Sequence, residues 1–440
     1  MTRNVKRLCV TFLVLAALTE VLVALSFDRG ILVMEHYMGP LIFAFMGMTL
    51  CMGRYGKRID LYVGAAFVGW YILSRILLKE LYIDYSYVFL CNLSCAYLLA
   101  FPFAHAADDA QKKHGLTAVA VTLCLCYGAI AWLCLLAALG GQQITLPYFG
   151  SVLGMNPYDL RLYANTHPNI SATLFLIALI LGTWLVAQHK RRWLGVILLI
   201  LGVALYSGIA LTVSRTVMIQ FAAFVAGLAF VGCMRLSFKA IWKRVLVAVP
   251  VAVVCLLVVF LSFGWAADGL AVVADSMRAV AETVSEPVKP LAAERDLMAD
   301  LGTMTGRTII YQQIFDLFGD HPEYLLTGMR NSTLAGTLQK YTSTHHAHNS
   351  FLQTVVNMGI PGLLMAVWFT VRGLWASARV IFSRRSTFAN QVLAIGWMAL
   401  LICTISESYL FTEYLTACNF PFYLLLGYTL ENARSLKAKA

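Results

Sequence analysis

Charge is what this chain has least of. Only 12% of its 440 residues are Asp, Glu, Lys or Arg, against 60% hydrophobic residues, whereas a soluble globular domain carries about a quarter charged residues. So few polar side chains cannot cover a water-facing surface, which excludes a soluble globular protein and puts the chain in a bilayer. Its mean hydropathy of +0.75 agrees. A disulfide framework is also lacking. The eleven cysteines sit almost entirely inside apolar runs, as Cys124, Cys126 and Cys134 do, where a thiol acts as a small buried hydrophobe. Cys418 alone falls near an expected outer face. There is no repeat of fixed period and no low-complexity tract. The N-terminal apolar run lacks a clear small-residue cleavage site and reads as a retained first membrane helix.

Apolar runs are what the chain has in abundance. A membrane helix needs roughly 20 apolar residues, and twelve segments fit, near 8–27, 37–53, 60–78, 86–104, 117–139, 170–188, 194–213, 217–234, 245–265, 350–371, 389–406 and 419–431. The second and last are short and broken by Gly or polar residues. The expected fold is an all-α integral membrane protein of about twelve transmembrane helices. Residues 1–265 hold helices one to nine, 266–349 form an external helical loop, and 350–440 hold the last three.

Lys and Arg gather in seven short clusters, around Arg3, Arg58, Lys112, Lys190, Arg235, Arg384 and Arg434. All lie in alternate connections, so the positive-inside rule makes those connections, and both termini, cytoplasmic. The net charge of +11 is then largely topological. Nucleic acid is not an expected partner, because the basic residues form no single stripe.

Two stretches on the opposite side are longer than turns. Residues 140–169, rich in Gly, Pro, Asn and Tyr, read as a structured loop over the membrane face. Residues 266–349 include "LAVVADSMRAVAETV", with Val272, Val273, Met277, Val280 and Val284 at helical spacing. This segment reads as an amphipathic helix lying on the protein or in the headgroup layer. Beyond a "SEPVKP" break, "TIIYQQIFDLF" reads as a short helix closed by "GDHP".

Three polar features fall on that side. Arg215 follows Ser214, a good N-cap residue, and so enters the first turn of a helix; the plainer alternative is an arginine snorkelling to an interface. Arg307 follows Thr305, which could cap another helix; otherwise it is an exposed loop arginine. His345, His346 and His348 stand in "THHAHNS", where Asn349 or Thr344 could begin a helix. The cluster could be a metal site, a polar loop, or a base or phosphate-binding group. No carboxylate adjoins it to complete a metal set. Helix N-termini present free N–H groups and partial positive charge, and guanidiniums grip phosphate in bidentate fashion. The three features together point to an external site for phosphate or diphosphate, with an imidazole beside it.

The pattern "SRT" opening a helix, then "GRTIIY" in an external loop, then "HAHNSFL" followed by "GIPG" resembles the O-antigen ligase and O-antigen polymerase superfamily. The motifs span roughly 160–370. The resemblance implies a membrane glycosyltransferase of the GT-C type in a bacterial cytoplasmic membrane. Such an enzyme moves a glycan from undecaprenyl diphosphate to a sugar hydroxyl on the external face. It implies catalytic roles for His348, Arg215 and Arg307, with the two arginines also binding the diphosphate. His346, Asn349, Ser214 and Asn169 are further substrate-binding candidates, and His345 is incidental. The transfer is expected to be inverting and to use no metal or cofactor, with arginines and helix dipoles neutralising the leaving diphosphate. No Asp-x-Asp stands in an external loop. Imidazole is suited to taking the acceptor proton. Glu407 or Glu413, in "SESYLFTEY", could be the base instead, with His348 on the phosphate; both could equally be solvated loop carboxylates.

The partners implied are an undecaprenyl-diphosphate-linked glycan, a lipid-anchored sugar acceptor and membrane lipid. The acceptor would be a lipid A core or other anchor for a ligase, or a second lipid-linked repeat for a polymerase. One polymerase branch carries Arg-x10-Gly motifs. Here Gly227 and Gly319 follow Arg215 and Arg307 one position too late, which leans toward ligase. A transporter of lipid-linked glycan would need polar groups at mid-membrane, and only Glu20 and Asn92 are candidates. A cavity open to the outer leaflet is expected, so that a polyprenyl tail stays in lipid.

Overall fold

The described residues of the computed structural model are 3–25, 58–79, 97, 101–106, 109–140, 142–146, 151–155, 161–164, 168–236, 240–281, 307–330, 347–407, 410–411 and 418–438. Their helices are α1 (Arg3–Leu25), α2 (Ile59–Leu77), α3 (Phe101–Ala106), α4 (Asp109–Leu139), α5 (Pro168–His189), α6 (Arg192–Thr212), α7 (Arg215–Met234), α8 (Ile241–Ala281), α9 (Arg307–Asp320), α10 (Tyr324–Thr327), α11 (Ser350–Phe382), α12 (Phe388–Leu401), α13 (Cys403–Ser406) and α14 (Asn419–Ala438). Among the described residues, eight stretches are long and apolar enough to cross a membrane: α2, α4 to α7, most of α8, α11, and α12 with α13. The chain is an all-α membrane protein of several spans. α1 contributes a shorter apolar stretch, Val10–Leu22. Of the other expected spans, 37–53 lies outside the described residues and 86–104 is described only at 97 and 101–104.

Three expectations change. α14 forms where the last span was expected but is not among the helices apolar enough to cross a membrane. Its residues from Asn419 to Leu430 are all buried, so protein surrounds them where lipid would have demanded a more apolar surface. The stretch expected as a separate amphipathic helix continues α8 without a break, giving 41 residues, or roughly 60 Å at 1.5 Å per residue. No proline stands between Pro250 and the helix end, so nothing stops the helix at the membrane edge. The loop over 140–169 carries a three-stranded antiparallel sheet of β1 (Gln143–Leu146), β2 (Ser151–Met155) and β3 (Leu162–Ala164), registered Ile144↔Leu153 and Leu153↔Ala164. β-branched and aromatic residues favour this pleat. The sheet packs on the end of α4, where the Cys134 thiol approaches the Tyr163 carbonyl at 3.5 Å.

α5 is the central helix. Its most apolar window is 78% buried, against 6% for that of α8, which lies at the rim. α4, α6, α7 and α12 pack around α5. The helices alternate in direction, so the bundle has two distinct ends. One end gathers the starts of α5, α7 and α11 and the close of α13. The other gathers the basic clusters. There Glu431 accepts from Arg58 at 3.2 Å and Lys112 at 3.1 Å, and Arg235 donates to Gln391 at 2.6 and 2.9 Å. Burial lowers the Arg58 guanidinium from its ordinary pKa, and the Glu431 carboxylate opposes that shift.

Candidate active site

The sequence around residue 350 begins a helix for a local reason. Asn349 takes the extended N-cap conformation, and its Oδ1 accepts from the Phe351 and Leu352 amides, both at 3.0 Å. This satisfies two of the four orphan donors of the first turn. His348 stands just before the cap with φ 48°, a left-handed conformation that costs a non-glycine residue energy. α11 breaks a few turns later at Gly359, which has φ 68° and precedes Pro361. The break lets the 324–330 segment lie against it. Met329 donates to the Val356 carbonyl at 2.7 Å, and a Cβ on Gly359 would stand 2.3 Å from the Leu326 carbonyl oxygen.

Arg307 is the first residue of α9, and Tyr311 follows on the same face. Ile310, Ile314, Leu317 and Phe318 pack with Met329, Val355 and Val356 into a small core of their own, which seats α9 on the first turns of α11. The Tyr311 hydroxyl then reaches the carbonyls of His348 (3.4 Å) and Ile405 (3.5 Å). Arg215 is likewise the first residue of α7, behind the tight turn at Val213 (φ 50°). Ser214 holds the N-cap position, but its hydroxyl makes no capping hydrogen bond. The adjoining Thr216 pairs with Ser406 at 2.9 Å, so the start of α7 abuts the turn that carries Glu407.

Glu407 is where these elements meet. It is only 1% exposed, which overturns its reading as a solvated loop carboxylate. Its Oε1 accepts from Asn169 Nδ2 at 2.7 Å and lies 3.5 Å from Arg307 Nη2. Its Oε2 lies 3.5 Å from His348 Nδ1. Asn169 is held in turn by Arg161, which donates to Asn169 Oδ1 (2.8 Å) and to the Thr212 carbonyl (2.7 Å). Ser350 donates to the Glu407 carbonyl at 2.8 Å and accepts from the Leu410 amide at 3.2 Å, closing the turn. At 3.5 Å no hydrogen bond joins Oε2 to Nδ1, but a buried carboxylate facing one imidazole nitrogen can orient the ring when they close on each other.

Among the sequence candidates, Arg307, His348, Asn169 and Glu407 thus converge within one shell. Asn349 serves as a cap, with its Nδ2 on the Ile405 carbonyl at 3.3 Å. Arg215 stands at the adjoining helix start. His345, His346 and Glu413 lie outside the described residues. Sequence reasoning missed Arg161 and Ser350 as supports, and gave Tyr311, the last residue of "GRTIIY", no role of its own. For Tyr311 a signal existed, since four positions after Arg307 is one helical turn.

A multi-pass helical membrane protein with arginine, histidine and a buried carboxylate joined at one end of its bundle is the class this arrangement defines. Within it, residues 203–367 match the family model described as O-antigen ligase. That region runs from α6 to α11 and contains Arg215, Arg307 and His348. The match supports the O-antigen ligase and polymerase superfamily, whose members are glycosyltransferase-like enzymes. No curated protein matches the chain.

Proposed function

We propose that this protein transfers a glycan from undecaprenyl diphosphate to a sugar hydroxyl of a lipid-anchored acceptor, on the external face of a bacterial cytoplasmic membrane. The observation that carries this reading is the convergence of Arg307 and His348 on buried Glu407 beside the start of α7. Arg215 and Arg307, with the amino end of α7, bind the diphosphate and neutralise the charge that grows on it as it leaves. The acceptor oxygen attacks the anomeric carbon. The bond from that carbon to the diphosphate oxygen breaks, its electron pair leaves with the undecaprenyl diphosphate, and the configuration inverts. The acceptor proton goes to His348 Nε2. Glu407 is too enclosed to reach an acceptor hydroxyl, so it is a positioning residue that holds the imidazole through Nδ1. This choice leaves His348 as the base.

An apolar groove of about 610 Å³ supports the lipid-linked donor. It begins at Phe351, Thr404 and Ile405, next to Glu407, and runs between α7, α11 and α12. A polyprenyl tail lying there keeps its diphosphate at the arginines.

Ligase action is favoured over polymerase action by the Arg–Gly spacing alone, and gene deletion separates them. Full-length glycan stranded on carrier lipid marks a ligase; single repeats reaching the anchor mark a polymerase. The transfer itself is tested with purified protein, lipid-linked glycan and acceptor. His348→Ala and Arg215→Ala should each lose transfer by about 100-fold or more, and chelator should leave the parent chain's rate unchanged. Parental rates in either variant contradict the site. Movement of donor across vesicles with no new glycosidic bond contradicts the enzyme.

A further inference from the structure

The end of the bundle remote from Glu407 holds a second polar hollow, about 380 Å³ in volume, lined by Arg235, Arg244, Arg384, Ser383 and Gln391. No carboxylate is among the described residues that line it. Arg235 is fixed in place: Nε and Nη2 donate to Gln391 Oε1 at 2.9 and 2.6 Å, and Nη2 also to the Ser386 carbonyl at 2.8 Å. The Phe388 ring lies 5.6 Å below its guanidinium. Arg244 is 7% exposed, with Nη1 3.5 Å from the Met234 carbonyl. Three guanidiniums line one hollow, the best fixed of them held by a neutral amide, and guanidiniums present forked donors to a phosphate.

The hollow does not end in water alone. Ile381 and Phe382 line both it and the apolar groove between α7, α11 and α12. Phe382 meets Phe230 edge-on at 5.9 Å at that junction. A cationic cup opening into an apolar channel matches a molecule with an anionic head and a hydrocarbon chain. We propose that this is a binding site for an anionic membrane phospholipid. The headgroup phosphate lies among Arg235, Arg244 and Arg384, and one acyl chain passes Phe382 into the near end of the groove. Basic pockets between membrane helices bind lipid headgroups on the same principle. A soluble phosphate would satisfy the arginines and leave the apolar half unused.

The test is binding, read without any transfer reaction, so its outcome is separate from that of the proposed function. The full chain in detergent is mixed with equal amounts of phosphatidylglycerol and phosphatidylcholine of identical acyl chains, and retained lipid is counted by native mass spectrometry. The parent chain should prefer phosphatidylglycerol by about 5-fold or more. Arg244→Gln combined with Arg384→Gln should bring that preference close to one. Because Arg384 is exposed, Arg384→Gln alone keeps the fold and should reduce the preference about twofold. Inorganic phosphate at millimolar concentration should not displace the lipid. Equal retention of the two lipids, an unchanged preference in the variants, or displacement by inorganic phosphate would each overturn the proposal.

Discussion

Glu407 gathers partners that the sequence scatters. Asn169 comes from 238 positions away, Arg307 from the start of α9 and His348 from the turn just before α11. Its sequence surroundings, "SESYLFTEY", are polar enough to read as loop, and burial of a carboxylate is a property of the assembled bundle. Arg215, Arg307 and His348 stood out in the sequence because each lies within two positions of a residue type that favours capping, which is local chemistry, although of Ser214 and Asn349 only Asn349 makes the capping bonds. Arg75 was not legible at all. It lies in an apolar span, is 0% exposed, and donates to the Met329 carbonyl at 2.8 Å and the Asn357 carbonyl at 2.6 Å. It therefore ties α2 to the 324–330 segment and to α11 just before its break. Arg75→Leu strands two buried acceptors and should cost about 2–4 kcal/mol, seen as a clearly lower melting temperature in detergent. Arg75→Lys should recover part of it. An unchanged melting temperature in Arg75→Leu would remove Arg75 from this role.

Helix starts do the positioning at the next scale. α7, α9 and α11 each present a first turn toward the Glu407 turn. Val213, His348 and Phe411, three of the five non-glycine residues with positive φ among the described residues, flank that region. Strain held at a site marks backbone that the surroundings over-determine. The short helix at 308–318 was readable, and α9 runs slightly past it at both ends, Arg307–Asp320. The end of α8 was not, since helical spacing says nothing of where a span leaves the bilayer. Nor was the small sheet, whose strands of three to five residues give too short a pattern. The break at Gly359 is a packing requirement. Gly359→Ala puts a Cβ against the Leu326 carbonyl oxygen at φ 68°, and should destabilise by at least about 2 kcal/mol. Limited proteolysis near 324–330 should become faster in that variant. Proteolysis identical to the parent chain would mean that the segment does not depend on the break.

The whole molecule separates its chemistry by end. The apolar periodicity and the charge clusters made a multi-span helical protein legible, because lipid demands long apolar helices whatever their order. What lies between helices, including the groove and the arginine cup, depends on packing that no single span encodes. The sidedness proposed here predicts that His321→Cys reacts with a membrane-impermeant maleimide on intact cells while Lys190→Cys does not, against the background of the parent chain. The reverse pattern would invert the topology. The most direct measurement is single-turnover transfer by purified Glu407→Gln, His348→Ala and their combination. If Glu407 acts by holding His348, each single variant should lose about 100-fold or more, and the pair should lose no more than His348→Ala alone. Parental transfer in Glu407→Gln, or losses that multiply in the pair, would contradict a shared site built on that carboxylate.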